Sequence, residues 1–378
     1  MQVLSDRAQA FLGQPMFKMK QKIGDRDVVH LEIGDPDFET PAIIVGTACE
    51  SLRKGETHYC SSYGISSFIE EICKATQRSR GFTPNADQVL ITPGANIGIF
   101  YAVMCTCNPG DIVLVPDPGF PTYASAIQAA GCIPVFYSLP AENEFKIDPI
   151  AIEYALRRTK AKLVILNSPS NPTGAVTSAD TLAYVYEILA QHDTYGYSDE
   201  IYARLVYDGS FNSIAIHDHC ATRIILSNGF SKAYAMTGFR LGAMIAPAAL
   251  TEKMMLLLQT TQSCVSPFIQ RAGEAALLSN QRDSILMLQE YRKRRDVLVS
   301  GLNALGLRCP MPQGAFYAFP AVPAGYTSES FADRLLDFGV ACLPGSDFGP
   351  QGEGFVRMAY CTSLDNINLA LERIKCAL

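Results

Sequence analysis

Between residues 86 and 246, seven short apolar runs alternate with stretches of helical pattern. The runs are VLIT (89–92), IVLVP (112–116), IPVFY (133–137), KLVILN (162–167), TYGYSD (194–199), IILSN (224–228) and AMIAP (243–247). Most leave no polar face for water, which is the pattern of a strand covered on both sides. Helical periodicity fills most of the gaps, at 97–107, 121–130, 148–158 and 178–190. Parallel strands need long crossovers, and helices packed on the sheet supply them with a right-handed turn. The expected fold is therefore α/β, with a mostly parallel central sheet sandwiched by helices.

The texture changes after about residue 250. A helical run covers 248–279 and a charged helical pattern covers 284–305. Short strand-like runs follow in GAFYAFP, VACLP and GFVRMAY, so a smaller α+β domain is expected at the C-terminus. A chain of 378 residues exceeds what one core usually supports. The expected division is an N-terminal segment 1–45 joining the small domain, a large domain 46–265 and a small domain 266–378.

The formal net charge is −6 with no basic stripe, which argues against nucleic acid as a partner. There is no run of 18 apolar residues and no basic start leading into an apolar stretch, so neither a membrane span nor a signal peptide is expected. The 12 cysteines are scattered, the closest pair being Cys105 and Cys107, and no Cys-x-x-Cys occurs. Reduced thiols in the cytoplasm are the expectation. No G-x-G-x-x-G, P-loop or H-E-x-x-H is present. His217 and His219 lack further ligands at useful spacing and read as a solvated loop, so no metal is expected.

In open α/β sheets, ligands sit beyond the carboxyl ends of the strands. Lys232 follows one such end in small, apolar surroundings, where lost hydration would lower its pKa and free the amine to attack a carbonyl. Arg240, eight residues on, suits a phosphate dianion. Asp199 ends the run TYGYSD; set beside a pyridine nitrogen it would keep that nitrogen protonated. Tyr202 and Asn171 could donate to a phenolate oxygen. Ala95 and Asn96 open a helix whose backbone N–H groups favour an anion. The ring of Phe120 could stack on a flat heterocycle. Each has a plainer reading: a surface cation for Lys232 or Arg240, a turn or cap residue for Asp199 or Asn171, core packing for Tyr202 or Phe120.

Seven segments in order turn these separate hints into a resemblance. They are LEIGDPDF (31–38), TPGANIG (92–98), DPGFPTY (117–123), NSPSNPTG (167–174), YSDEIY (197–202), SKAYAMTGFRLG (231–242) and FVRMAY (355–360). Over essentially its full length the chain resembles the class I/II aminotransferases, the fold-type I enzymes that depend on pyridoxal 5′-phosphate. The resemblance implies that Lys232 is the Schiff-base lysine and proton shuttle, and that Asp199 pairs with the pyridinium. It implies Asn171 and Tyr202 at the phenolate oxygen, Arg240 with the Ala95 and Asn96 backbone at the phosphate, and Phe120 against the ring. Arg357 matches the arginine that grips the substrate α-carboxylate, assisted by the backbone near Gly34 and by Asn171. Tyr59 matches a tyrosine that reaches the neighbouring subunit's phosphate, which implies a homodimer with shared sites. The implied substrates are an L-amino acid and a 2-oxo acid.

The chain departs from relatives at two of these positions. Gly229 stands where many carry a phosphate-binding Ser, so weaker phosphate binding is expected at most. Asn96 stands where certain aspartate-specific relatives carry Lys, which puts an aspartate preference in doubt. There is no tryptophan, so the stacking ring must be Phe120 or a tyrosine. Two other functions fit the cofactor motifs: a C–S β-lyase or synthase on the same fold, and a cofactor-binding protein without turnover. A lyase would release ammonia with pyruvate and leave the cofactor an aldehyde.

Overall fold

The computed structural model describes Leu4, Ala8, Gly13 and residues 15–378. The rest of the N-terminal segment lies outside the described residues. Strands occur at β1 (Val29–His30), β2 (Val89–Thr92), β3 (Ile112–Asp117), β4 (Ile133–Ser138), β5 (Leu163–Asn167), β6 (Tyr195–Asp199), β7 (Ile224–Gly229) and β8 (Gly242–Ile245). They continue in the C-terminal part as β9 (Tyr317–Ala318), β10 (Val340–Ala341), β11 (Leu343–Pro344) and β12 (Val356–Ala359).

The seven apolar runs build one sheet in the order β2-β8-β7-β6-β5-β3-β4. Strands β3 to β7 pair in parallel, whereas β8 runs antiparallel to both β2 and β7. Residues 230–241 separate β7 from β8 and hold the 3₁₀ segment Thr237–Phe239 rather than an α-helix. Along that stretch the chain turns back, so that β8 runs antiparallel beside β7.

Period-two alternation sends successive strand residues into two cores. Val113, Val115, Ile165 and Ile225 pack on one face with Tyr101, Tyr123 and Met254. Leu114, Val164, Leu166, Ile224 and Leu226 pack on the other with Leu182, Val185 and Ile188. Both faces are buried except at the edge strand β4, where Ile133 and Phe136 are exposed, so most of the runs lack the polar alternation of a half-exposed strand. The crossover helices occupy Asn96–Thr106, Thr122–Ala129, Pro149–Thr159 and Ala179–Gln191. Asp148 and Ser178 cap the last two by accepting from Ile150 N and Thr181 N.

The helical run 248–279 is two helices, Ala248–Gln262 and Pro267–Leu278. Ser263, at φ +69, turns the chain between them, and Pro267 starts the second, a position that tolerates its missing N–H. The charged helix spans Arg282–Ala304. With β9, β11 and β12, which form a small antiparallel sheet, it encloses a further core containing Tyr291, Leu298, Phe316, Phe331 and Met358. Strand β1 pairs in parallel with β10, setting Val29 opposite Val340. The helix Pro15–Ile23 is tied to the same region by Lys22, which reaches Glu329 at 3.1 Å and Asp333 at 2.8 Å. No helix among the described residues is long and apolar enough to cross a membrane.

Candidate active site

The carboxyl ends of β2, β3, β5, β6 and β7 open into a cleft of about 560 Å³, closed on its other side by residues of the C-terminal part. Lys232, Asp199, Asn171, Tyr202, Arg240, Arg357, Phe120, Ala95, Asn96 and Gly34 all line it. Tyr59 does not. Its side chain is 87 % exposed, and within this single chain it meets none of the cleft.

Lys232 lies three residues past β7, and its Nζ donates to the Gly34 carbonyl at 2.6 Å. Burial lowers its pKa, as the ammonium loses water and gains no carboxylate hydrogen-bond partner, with the cations Arg357 and Arg240 pushing the same way. A neighbouring Asp35 opposes the shift.

Asp199 is the last residue of β6 and is 6 % exposed. Its Oδ2 accepts from the Tyr123 hydroxyl at 2.8 Å, and its Oδ1 accepts from Ile201 N at 3.2 Å. Burial pushes its pKa up to about 6, against those two donors. Asn167, at the end of β5, donates to the Asp199 carbonyl at 3.0 Å and accepts from Asn171 N at 2.8 Å. Neighbouring strand ends are thereby locked together. The Tyr202 and Tyr317 hydroxyls meet at 2.8 Å. Burial holds the Tyr202 phenol far above its ordinary pKa, so it remains a proton donor at neutral pH.

Arg357 is the second residue of β12 and is 5 % exposed. Its Nη1 donates to Asn171 Oδ1 at 3.3 Å and its Nη2 donates to the Glu32 carbonyl, while Nε is buried without a partner. Its guanidinium lies over the rings of Tyr317 at 4.6 Å and Phe348 at 5.1 Å. Among the described residues none of its hydrogen bonds goes to a carboxylate, which leaves its charge available to a ligand.

Ala95 and Asn96 begin the helix Asn96–Thr106, and Arg240 sits at φ +52 just before β8. The three cluster because β8 lies flat on the 94–95 turn: a Cβ on Gly242 would come within 2.6 Å of the Gly94 carbonyl carbon and 2.7 Å of Ala95 N. At Gly229 a Cβ would meet Ile201 Cδ1 at 2.6 Å, so an isoleucine tip fills the space in front of the glycine that replaces serine.

Pyridoxal phosphate fits this set. Helix-end N–H groups and Arg240 mark an anion site, a buried carboxylate marks a base site, and the Lys232 amine, its pKa lowered by burial, lines the same cleft. Arg357, with its orphaned Nε, offers a second anion site for a carboxylate. His217 and His219 stack on separate rings, Tyr186 and Phe82, and no group of metal-binding side chains occurs among the described residues.

Several cleft residues lay unseen in the sequence. Tyr123 belongs to DPGFPTY and Tyr317 to GAFYAFP, but both rings continue apolar patterns, and only the folded geometry shows where their hydroxyls point. Met16 and Phe17 come from a segment with no motif.

The chain is similar to proteins described as aminotransferases. The family described as "Aminotransferase class I and II" matches residues 26–374. The "Putative aminotransferase YugH" of Bacillus subtilis is 38 % identical over 352 residues, covering 92 % of this chain and 91 % of that protein. "Aromatic-amino-acid aminotransferase 2" of Thermococcus litoralis is 37 % identical, covering 93 % and 92 %. Among solved structures, a mutant aspartate aminotransferase of Thermus thermophilus superposes with a TM-score of 0.94 at 33 % identity, covering all of both chains.

Proposed function

This chain belongs to the class I and II aminotransferases and moves an amino group from an L-amino acid to a 2-oxo acid with pyridoxal 5′-phosphate, and on that premise we propose how its residues divide the work. Bound pyridoxal phosphate supplies an aldehyde that joins amines and a cationic ring that takes up the electron pair of a broken C–H bond.

Lys232 Nζ, whose pKa burial lowers, would hold the cofactor through its aldehyde carbon. With the cofactor and substrate bound, the same nitrogen would take the α-proton and give it back, so a single base would serve both transfers. Asp199 holds a proton on the ring nitrogen, and Tyr123 aims its carboxylate. Asn171 and Tyr202 donate to the phenolate oxygen. Arg240 and the backbone of Ala95 and Asn96 bind phosphate, and Phe120 covers the ring. Arg357, with Asn171 and the Gly34 backbone, grips the α-carboxylate and turns the C–H bond toward Lys232. The support is the convergence of Lys232, Asp199 and Arg357 on one cleft from three separate parts of the chain.

Tyr59 reaches the phosphate of a second copy in a homodimer; its exposure and its distance from its own cleft support this. Residues 1–45 belong with the small domain 266–378, and 46–265 form the cofactor-binding domain, as the β1–β10 pairing suggests. A cytoplasmic location fits 12 unpaired cysteines.

The test is a single turnover of the holoenzyme with an excess of amino donor. Conversion of the aldehyde chromophore to the amine form is expected, slowed by about 10²–10⁴-fold in Lys232→Ala. Release of ammonia and pyruvate with the aldehyde unchanged would contradict transamination.

A further inference from the structure

The charges in the cleft are few, and the roles just proposed use all the positive ones. The lining holds three cations, Lys232, Arg240 and Arg357, and two acids, Asp35 and Asp199. Lys232 performs the proton transfers, Arg240 meets the phosphate and Arg357 meets the α-carboxylate. Among the described residues no fourth cation lines the cleft, and position 96, at the start of its helix, carries a neutral asparagine. Lys18 and Lys22 of the helix Pro15–Ile23 stay outside the lining, and Lys22 is already paired with Glu329 and Asp333.

The remaining wall is apolar. Met16 and Phe17 come from the first turn of that helix, Ile33 precedes Gly34, and Leu343 and Phe348 flank Arg357. Phe17 lines the cleft and is 57 % exposed, so much of a large apolar residue stands uncovered by the described residues. Its helix is fixed farther along by the buried Met19 and Ile23, which set the position of the first turn.

We propose that Met16 and Phe17, with Ile33, Leu343 and Phe348, form the substrate side-chain pocket, and that the enzyme selects amino acids whose side chains are neutral and apolar. The proposal rests on the aminotransferase reading above and narrows its substrate class. A second carboxylate here would be desolvated in a cleft that also holds Asp35, with no spare cation among this chain's described lining residues to pair it. An aliphatic or phenyl group would instead cover Phe17 and bury apolar surface on both partners.

The test uses pyridoxal phosphate-loaded enzyme and carboxylates that carry no amino group and cannot turn over. 3-Phenylpropionate, 4-methylpentanoate and succinate are titrated by calorimetry. Apolar monocarboxylates should bind at least about 10-fold more tightly than succinate. Equal or tighter binding of succinate would overturn the proposal. Phe17→Arg, a change at an exposed position, supplies the missing cation and should move the ratio toward succinate by about 10-fold or more; an unmoved ratio would remove Phe17 from the pocket. Failure of every amino acid to convert the cofactor to its amine form would sink the aminotransferase reading instead, while the binding ratio would still report the pocket.

Discussion

The Tyr123 hydroxyl donates to Asp199 Oδ2 at 2.8 Å, and neither group reaches solvent appreciably. This bond works against burial, which has raised the Asp199 pKa to about 6. Its removal in Tyr123→Phe takes stabilisation from the carboxylate and sends the pKa higher still. Only the carboxylate can hold a proton on the cofactor's ring nitrogen. The affinity of the apoenzyme for pyridoxal phosphate should therefore weaken as pH falls through about 6, and in Tyr123→Phe it should weaken at a higher pH. The linkage for folding has the opposite sense. A carboxyl whose folded pKa lies above its unfolded value stabilises the fold at low pH, and that contribution is lost as pH rises through about 6. Cofactor titrations across pH 5–8 check the first sign, and thermal scans of the apoenzyme check the second.

Arg357 offers its charge to a ligand because its own hydrogen-bond partners are an amide oxygen and a carbonyl. Arg357→Ala should raise the dissociation constant for unreactive carboxylates by about 10²-fold, the scale of removing one partner of a buried, hydrogen-bonded charge pair. Cofactor content should not change. Arg357→Lys should recover only part of the loss, since a point charge cannot reproduce a two-pronged grip.

The fold was legible where burial on both faces left unbroken apolar runs, as in VLIT and KLVILN, because such runs suit few environments. Strand direction left no such trace. β8 is as apolar as its neighbours, and nothing in its own residues marks its reversal. The break at Ser263 was hidden because flanking helices of like composition read as one. Residues that differ in type from their surroundings, such as Lys232, Asp199 and Arg357, stood out as candidates. Tyr123 and Tyr317 did not, because a tyrosine ring satisfies the apolar pattern whatever its hydroxyl does. The space before Gly229 is occupied by Ile201, so a serine there would have to move that side chain before it could reach any phosphate.

Gly242 and the 94–95 turn are in contact through backbone alone, with 2.6 Å between the position of a Cβ and the Gly94 carbonyl carbon. Backbone cannot rotate aside as a side chain can. Gly242→Ala should destabilise the protein by about 1–3 kcal/mol and displace the N–H groups of Ala95 and Asn96. Weaker binding of inorganic phosphate to the apoenzyme, measured by calorimetry, checks the second effect separately from stability.

The Tyr202 and Tyr317 hydroxyls, 2.8 Å apart, form a buried pair. Tyr317→Phe and Tyr202→Phe should each cost about 1 kcal/mol, and the double variant should cost less than their sum, because the bond is lost only once. Urea titrations of the four proteins in the cycle measure the coupling. A strictly additive cycle would show that the contact contributes nothing.

The account turns on the covalent attachment of the cofactor at one nitrogen. Borohydride reduction of the holoenzyme followed by peptide mass spectrometry should find the pyridoxyl phosphate group on Lys232, and Lys232→Ala should lose both the reducible yellow chromophore and the label. A label on another lysine, or a Lys232→Ala protein that keeps the reducible chromophore, would contradict it.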